Sequence, residues 1–387
     1  MRVWLHAVMV TFFVTVVVSV TPIVTWSRDP DWYEKRSKVD LERAPESKGC
    51  CPAAFSIYSD VGHDRTVRCC TGRKYHIEPL RPTGGLNFSN ANARDILSQK
   101  TIVLLGDSMA EQQGISLICL AWAQGATVMR MPGRKPYTWS FRVTFKSSSS
   151  IEFTVAWIKY PRPAGTAARL DAERVEFELR NVDIAIYAGW HRLIGSMPDH
   201  ARWIVSFRNS SHLPTIIVEA LPTHFPGGLY ERNGHYPLVT SAHKYSTPHY
   251  GGMCDDARVQ NVTYAFDLLN QNIDYSEHNI ALKQIVGALG DKCSGLALLS
   301  AEYLYTDRGD THVGLLEIKG EPPVSMLNAT ENRGRRLRSK IRDCLHFCVL
   351  PGVLDALAMS TLHVVVDMLH LRIENEHCKL GETGVDL

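Results

Sequence analysis

The sequence predicts an α/β domain built on a largely parallel sheet covered on both faces. Three observations carry this expectation. Short apolar, β-branched runs such as "TIVLL", "VDIAIYAG" and "TIIVEAL" stop abruptly at glycine, proline or polar residues, as strands buried on both faces do. Helical segments lie between them, among them "MAEQQGISLICLAWA" and "PDHARWIVSF", and strand–helix alternation is the mark of a parallel sheet. The composition, 45% hydrophobic and 21% charged over 387 residues with a net charge of +2, is that of a globular chain. It lacks the strong positive field of a nucleic-acid binder.

Taken in order, the first element is the run "VWLHAVMVTFFVTVVVSVTPIVTW", which holds no Asp, Glu, Lys or Arg between Arg2 and Arg28. Roughly 20 apolar residues span a bilayer as a helix, and Pro22 among bulky valines makes a poor cleavage site. Residues 1–27 are therefore expected to form a retained transmembrane signal-anchor, with a cleaved signal peptide as the alternative. Residues 28–49 are charged and turn-rich and read as a lumenal stem, and 50–387 as the folded domain. Within that domain, "WSFRVTFK" and "IEFTVAWI" read as two strands joined by a loop at "KSSSS".

There are ten cysteines, and an even number fits a disulfide framework in an oxidising compartment. The vicinal pairs Cys50-Cys51 and Cys69-Cys70 match zinc-ligand spacing poorly. Cys119, inside a helical run, reads as core. Sequons at Asn87, Asn209, Asn261 and Asn328 point to the same lumenal, glycosylated setting.

The chemistry centres on "TIVLLGDSMAEQQG", residues 101–114. Ser108 is either the N-cap of the following helix or a nucleophile at the carboxyl end of a strand, where parallel sheets hold ligands. Gly189 and Pro222 also follow predicted strands and share that edge. A serine nucleophile needs an imidazole to take its proton and an acceptor to orient the imidazole. "RDCLHFCVLPGVLDA" (342–356) supplies both: Asp343 and His346 are three residues apart, on one side of a helical turn, between Cys344 and Cys348. Alone, D-x-x-H reads as a surface turn with a salt-bridged histidine. Together with Gly-Asp-Ser at a strand end, it points to a serine, histidine and aspartate acting in acyl transfer.

Five blocks in the same order carry a family resemblance. They are "GDSMAEQQ" (106–113), "DIAIYAGWH" (183–191), "LPTHFPGG" (221–228), "YTDRGDTHVG" (305–314) and "DCLHFCVLPGVLDA" (343–356). Over roughly residues 50–370 the chain resembles the plant trichome-birefringence-like proteins and the wider PC-esterase group, SGNH-type polysaccharide O-acetyltransferases. The resemblance implies a three-layer αβα, flavodoxin-like fold with disulfides. It also implies acyl transfer through Ser108 as nucleophile, His346 as base and Asp343 orienting the base. The chain departs from the family pattern at Glu111-Gln112, where the family has Arg-Asn, and at Val218, where it has Arg. A residue at or near Val349 is inserted, and no Trp follows Asp355.

In the implied reaction the Ser108 and Gly189 N–H groups are the candidate oxyanion donors. His191 stands where such enzymes commonly place an Asn, and its ordinary reading is a rim residue beside Trp190. Asp107 and His224 are further oxyanion or substrate-binding candidates. His312, near Asp310, reads as structural. His224, His235, His243 and His249 lack helical metal-ligand spacing, so no metal is expected. The basic run "RGRRLRSKIR" (333–342) reads as a solvated surface loop, or else as a site for anionic polysaccharide or donor phosphates.

No tightly bound cofactor is expected, but an acetyl donor is required, acetyl-CoA or another carrier. The expected partners are that donor, a glycan acceptor and the membrane. The expected location is the Golgi membrane, single-pass type II with a lumenal catalytic domain. Rival readings are an acyl-esterase with the same triad and an inactive glycan-binding protein.

Overall fold

The computed structural model describes residues 19–20, 24–43, 51–59, 80–133, 137–146, 150–159, 179, 181–188, 197–221, 275–290, 295–305, 312–318, 339–348 and 354–370. Its strands are β1 (Ser19–Val20), β2 (Thr25–Arg28), β3 (Leu80–Thr83), β4 (Thr101–Gly106), β5 (Thr127–Arg130), β6 (Trp139–Phe145), β7 (Ile151–Lys159), β8 (Ile184–Ala188), β9 (Thr215–Val218), β10 (Leu296–Leu299), β11 (His312–Ile318) and β12 (Ser339–Phe347). Its helices are α1 (Pro30–Arg43), α2 (Pro52–Ser59), α3 (Ala91–Leu97), α4 (Ser108–Ala123), α5 (Met197–Ser211), α6 (Tyr275–Gly290) and α7 (Asp355–His370).

The main sheet runs β1-β10-β9-β8-β4-β7-β6-β5. From β1 to β7 every pairing is parallel, and β6 and β5 close the far edge as antiparallel strands. Period-2 alternation sends successive side chains to opposite faces, and each face has its own core. Ile102, Leu104, Ile184 and Ile186 join the buried faces of α4 and α7. Val103, Leu105, Ala185 and Tyr187 join Ile204 and Phe207 of α5 and Leu282 and Ile285 of α6. The predicted α/β class with a mostly parallel, doubly covered sheet is what forms.

The chain reverses direction across the sheet at β4. It leaves β4 through α4 toward β5, β6 and β7 on one side, then β8, β9 and β10 are laid down on the other. Such a switch point opens a crevice beyond the carboxyl ends of the strands, and Ser108 lies there.

Several expectations change. Among the described residues no helix is long and apolar enough to cross a membrane. Residues 1–18 and 21–23 of the expected anchor lie outside the described residues, but its end belongs to the fold. Ser19–Val20 pairs with β10, Val24 is fully buried, and Thr25–Arg28 pairs with β3. An apolar, β-branched run suits a buried strand as well as a membrane helix, and at residues 19–20 and 25–28 the chain is strand.

The expected stem also changes: residues 30–43 form α1, docked through a pair between Arg36 and Asp355 (3.4 Å). Cys119 is not a plain core thiol. It is disulfide-bonded to Cys51, with Cα atoms 5.5 Å apart, which also takes Cys51 away from zinc. The end of the basic run is not a loop, since residues 339–342 open β12 and pair with β11.

Candidate active site

Gly106 ends β4 with φ +141°, and a Cβ there would lie 1.6 Å from the Ala188 carbonyl oxygen. Only glycine lets β4 and β8 approach this closely. Its own carbonyl accepts a hydrogen bond from Trp157 Nε1 (3.2 Å). Gly106 is in register with Ala188 on one side and Lys159 on the other. The residue after Ala188 is Gly189, so the predicted partner glycine follows directly from the strand beside Ser108. Gly189 itself, with His191 and His224, lies outside the described residues.

The helix after β4 is capped by Asp107, whose Oδ1 accepts from the Met109 N–H (2.9 Å). Asp107, expected among the oxyanion or substrate-binding groups, thus has its carboxylate engaged as the N-cap. Ser108 is the first helical residue and half-buried, so the capping function falls on its neighbour. The N-terminal turn of a helix presents orphan N–H groups and a partial positive charge, which suits an atom that develops negative charge nearby.

The D-x-x-H segment forms a strand where a helical turn was expected. Residues 339–347 are β12, antiparallel to β11. In a regular strand residues three apart face opposite ways. Here His312 pairs with Phe347 and Gly314 with Asp343, with a register shift between them. That shift puts the extra β12 residues between Asp343 and Phe347, the interval that contains His346. A bulge of this kind re-aims a strand locally and breaks strict alternation. A spacing of three serves a helical turn and a bulged strand equally well, and pairing with β11 decides.

Two glutamines inside α4 tie this strand and α7 to the serine helix. Gln112, 1% exposed, donates from Nε2 to the Phe347 carbonyl (2.8 Å) and accepts the Phe347 N–H at Oε1 (3.2 Å). Gln113, also 1% exposed, donates to Thr361 Oγ1 (2.9 Å) on α7. Ser108 and Gln112 are four residues apart and therefore stacked on one helix face. Phe347 is fully buried, with its ring 4.7 Å from that of Tyr305, and Cys348 beyond it is disulfide-bonded. His346 is thus the chain neighbour of a residue hydrogen-bonded one turn from Ser108. Glu111 accepts from Trp139 Nε1 (3.4 Å).

Farther along the same sheet edge, a second amide holds the chain after β9. Asn279 of α6, fully buried, accepts the Ala220 N–H (2.8 Å) and donates to the Ala220 carbonyl (3.0 Å). Beside it the buried Glu219 carboxylate accepts from the Ala301 and Glu302 N–H groups and from Ser300, and pairs with Lys283 at 2.8 Å. Burial, with the Glu219 charge adding to it, pushes the Tyr303 phenol above its usual value. These groups fix the start of the segment that leads to "LPTHFPGG".

Sequence reasoning missed Gln112, Asn279 and Glu219. The visible signal for Gln112 was a polar pair, Gln112-Gln113, set in an otherwise apolar stretch of helix. The remaining triad candidates, Asp343 and His346, are placed by backbone in β12.

Fold and site together define a layered α/β protein with a serine at the switch point of its sheet. No protein-family model matches the chain. It is similar to Protein YLS7 of Arabidopsis thaliana, 23% identical over 318 residues. The match covers 70% of this chain and 58% of that protein, so the chain spans little more than half its relative's length.

Proposed function

We propose that the protein is a glycan O-acetyltransferase of the SGNH, PC-esterase-like type, working through an acetyl-serine intermediate. The observation that supports this best is that Ser108 opens α4 at the sheet's switch point while β12 packs against the first turns of that helix. In the proposed reaction His346 takes the Ser108 hydroxyl proton as Oγ attacks the acetyl carbonyl of the donor. The imidazolium is stabilised by Asp343, and returns the proton to the departing donor group. A sugar hydroxyl then gives its proton to His346 and attacks the acetyl-serine; His346 returns the proton to the departing Ser108 Oγ, which releases the acetylated glycan and restores Ser108 and the neutral base. The Ser108 and Gly189 N–H groups receive the oxyanion in both halves, each such donor worth roughly 3 kcal/mol.

The Cys51–Cys119 disulfide is in keeping with an oxidising compartment, and we place the catalytic domain on the lumenal side of the Golgi membrane. The test is isotope-labelled acetyl transfer from acetyl donors to a panel of cell-wall glycans. Label appearing on a glycan, and lost in Ser108→Ala and His346→Ala, is the expected result. Release of free acetate alone, with the same dependence on both residues, makes the protein an esterase. Full turnover by both variants removes the triad.

A further inference from the structure

We propose that Gln112 is the positioning residue that aligns the base on the nucleophile, holding His346 in place through the Phe347 peptide. This rests on the serine–histidine reading of the site.

A buried amide has to satisfy its polar atoms, and an apolar side chain would fill this part of α4 without that demand. Gln112 meets it with the backbone of one residue, through the peptides on either side of it: its Nε2 donates to the Phe347 carbonyl at 2.8 Å and its Oε1 accepts the Phe347 N–H at 3.2 Å. The N–H and C=O of one strand residue point to the same edge, so a single carboxamide engages both and acts as a short piece of missing neighbouring strand. On its other edge Phe347 is in register with His312 of β11. The peptide next to His346 is therefore held from both sides at the point where the β11–β12 register is irregular. The amide adds to the β11 pairing, the Tyr305 ring contact and the disulfide-bonded neighbour Cys348 in defining the bulge.

Gln112 lies one turn after Ser108 on the same face of α4. The nucleophile and the support of the base are thus parts of one rigid helix. A group acting this way affects proton transfer rather than substrate binding.

The experiment acylates the full-length chain with p-nitrophenyl acetate across a pH series, with the adduct mapped by mass spectrometry. Gln112→Met should lower the saturated acylation rate roughly 100-fold, the scale of a displaced catalytic group, with KM unchanged. Gln112→Glu keeps an acceptor for the Phe347 N–H and adds a negative charge near the base, so its acidic pH limb should move to higher pH. Gln113→Leu breaks the neighbouring amide's bond to α7; it should lower Tm and keep the parental rate and pH limb.

If wild type is acylated at Ser108 and both Gln112 variants keep its rate and pH limb, the positioning role is overturned while the serine–histidine reading stands. Equal slowing in Gln113→Leu also overturns it, since any damage to α4 would then suffice. If wild type gives no Ser108 adduct, the functional reading fails and this proposal with it. Should Gln112→Met fail to fold, the pH limb of Gln112→Glu decides: a displaced limb supports the role, an unmoved one overturns it.

Discussion

At the residue scale, the site depends on three consecutive positions with different demands. Gly106 has no room for a Cβ, which would fall 1.6 Å from the Ala188 oxygen at a φ that L-residues avoid. Gly106→Ala should therefore cost on the order of 3 kcal/mol or prevent folding; a denaturation midpoint equal to wild type would contradict this. Asp107 and Ser108 divide two jobs that the sequence alone cannot assign. The cap is Asp107, so Asp107→Ala should lose about 1 kcal/mol of stability. Ser108→Ala should leave stability unchanged within error and abolish acylation. Chemical denaturation of the two variants side by side checks the division, and a stability loss in Ser108→Ala alone would reverse it. The Gly-Asp-Ser triplet was legible in the sequence because a tight strand-to-helix turn leaves a local signature. Which of its members caps the helix was not, since Asp and Ser are equally good caps.

At the scale of elements, α1 shows how a charged segment becomes part of a fold. Residues 28–49 read as stem because their charges mask the position that docks. That position is Asp40, 3% exposed, held by Arg36 at 3.0 Å, which also reaches Asp355 at the start of α7. Burial raises the Asp40 carboxyl above its usual range, opposed by Arg36 and Arg43 and reinforced by the Asp355 charge. The folded state thus holds this proton more tightly than the unfolded chain. Asp40 contributes most to stability below its unfolded value, and that contribution falls as pH rises toward the folded value. Asp40→Asn removes the fall, so the Tm difference, variant minus wild type, should grow more positive between about pH 4 and pH 7. Calorimetry across that range measures it, and a difference that shrinks with pH would contradict the burial. The D-x-x-H element has the same lesson in a different form. Its residue types were legible, but its conformation was set by pairing with β11, a tertiary partner that no local pattern announces.

At the scale of the whole molecule, the alternation of strands and helices was legible because strands buried on both faces are apolar throughout. The strand order was not, since the reversal at β4 depends on which side each crossover takes. Nor was the link from α4 to β12, which joins Gln112 to a residue far along the chain. The described end of the N-terminal run pairs with strands of the fold, and membrane and core select the same side chains. Val24 is fully buried, and Trp26 donates from Nε1 to the Leu304 carbonyl at 2.7 Å. Removal of residues 1–27 should therefore destabilise the domain by several kcal/mol, on the order of 2–5 for each large buried side chain lost. Comparison of its unfolding midpoint with that of the full chain checks this, and equal midpoints would restore the anchor boundary at residue 27.

In the proposed reaction Ser108 carries the acyl group. The most direct measurement is to incubate the full-length chain with acetyl donors, quench in acid and map the acetyl adduct by peptide mass spectrometry, with Ser108→Ala as control. The expected result is an acetyl group on Ser108 that is absent in the variant and discharged faster by added glycan than by water. A chain that stays unlabelled at Ser108 with every donor, or is labelled equally in the variant, would contradict it.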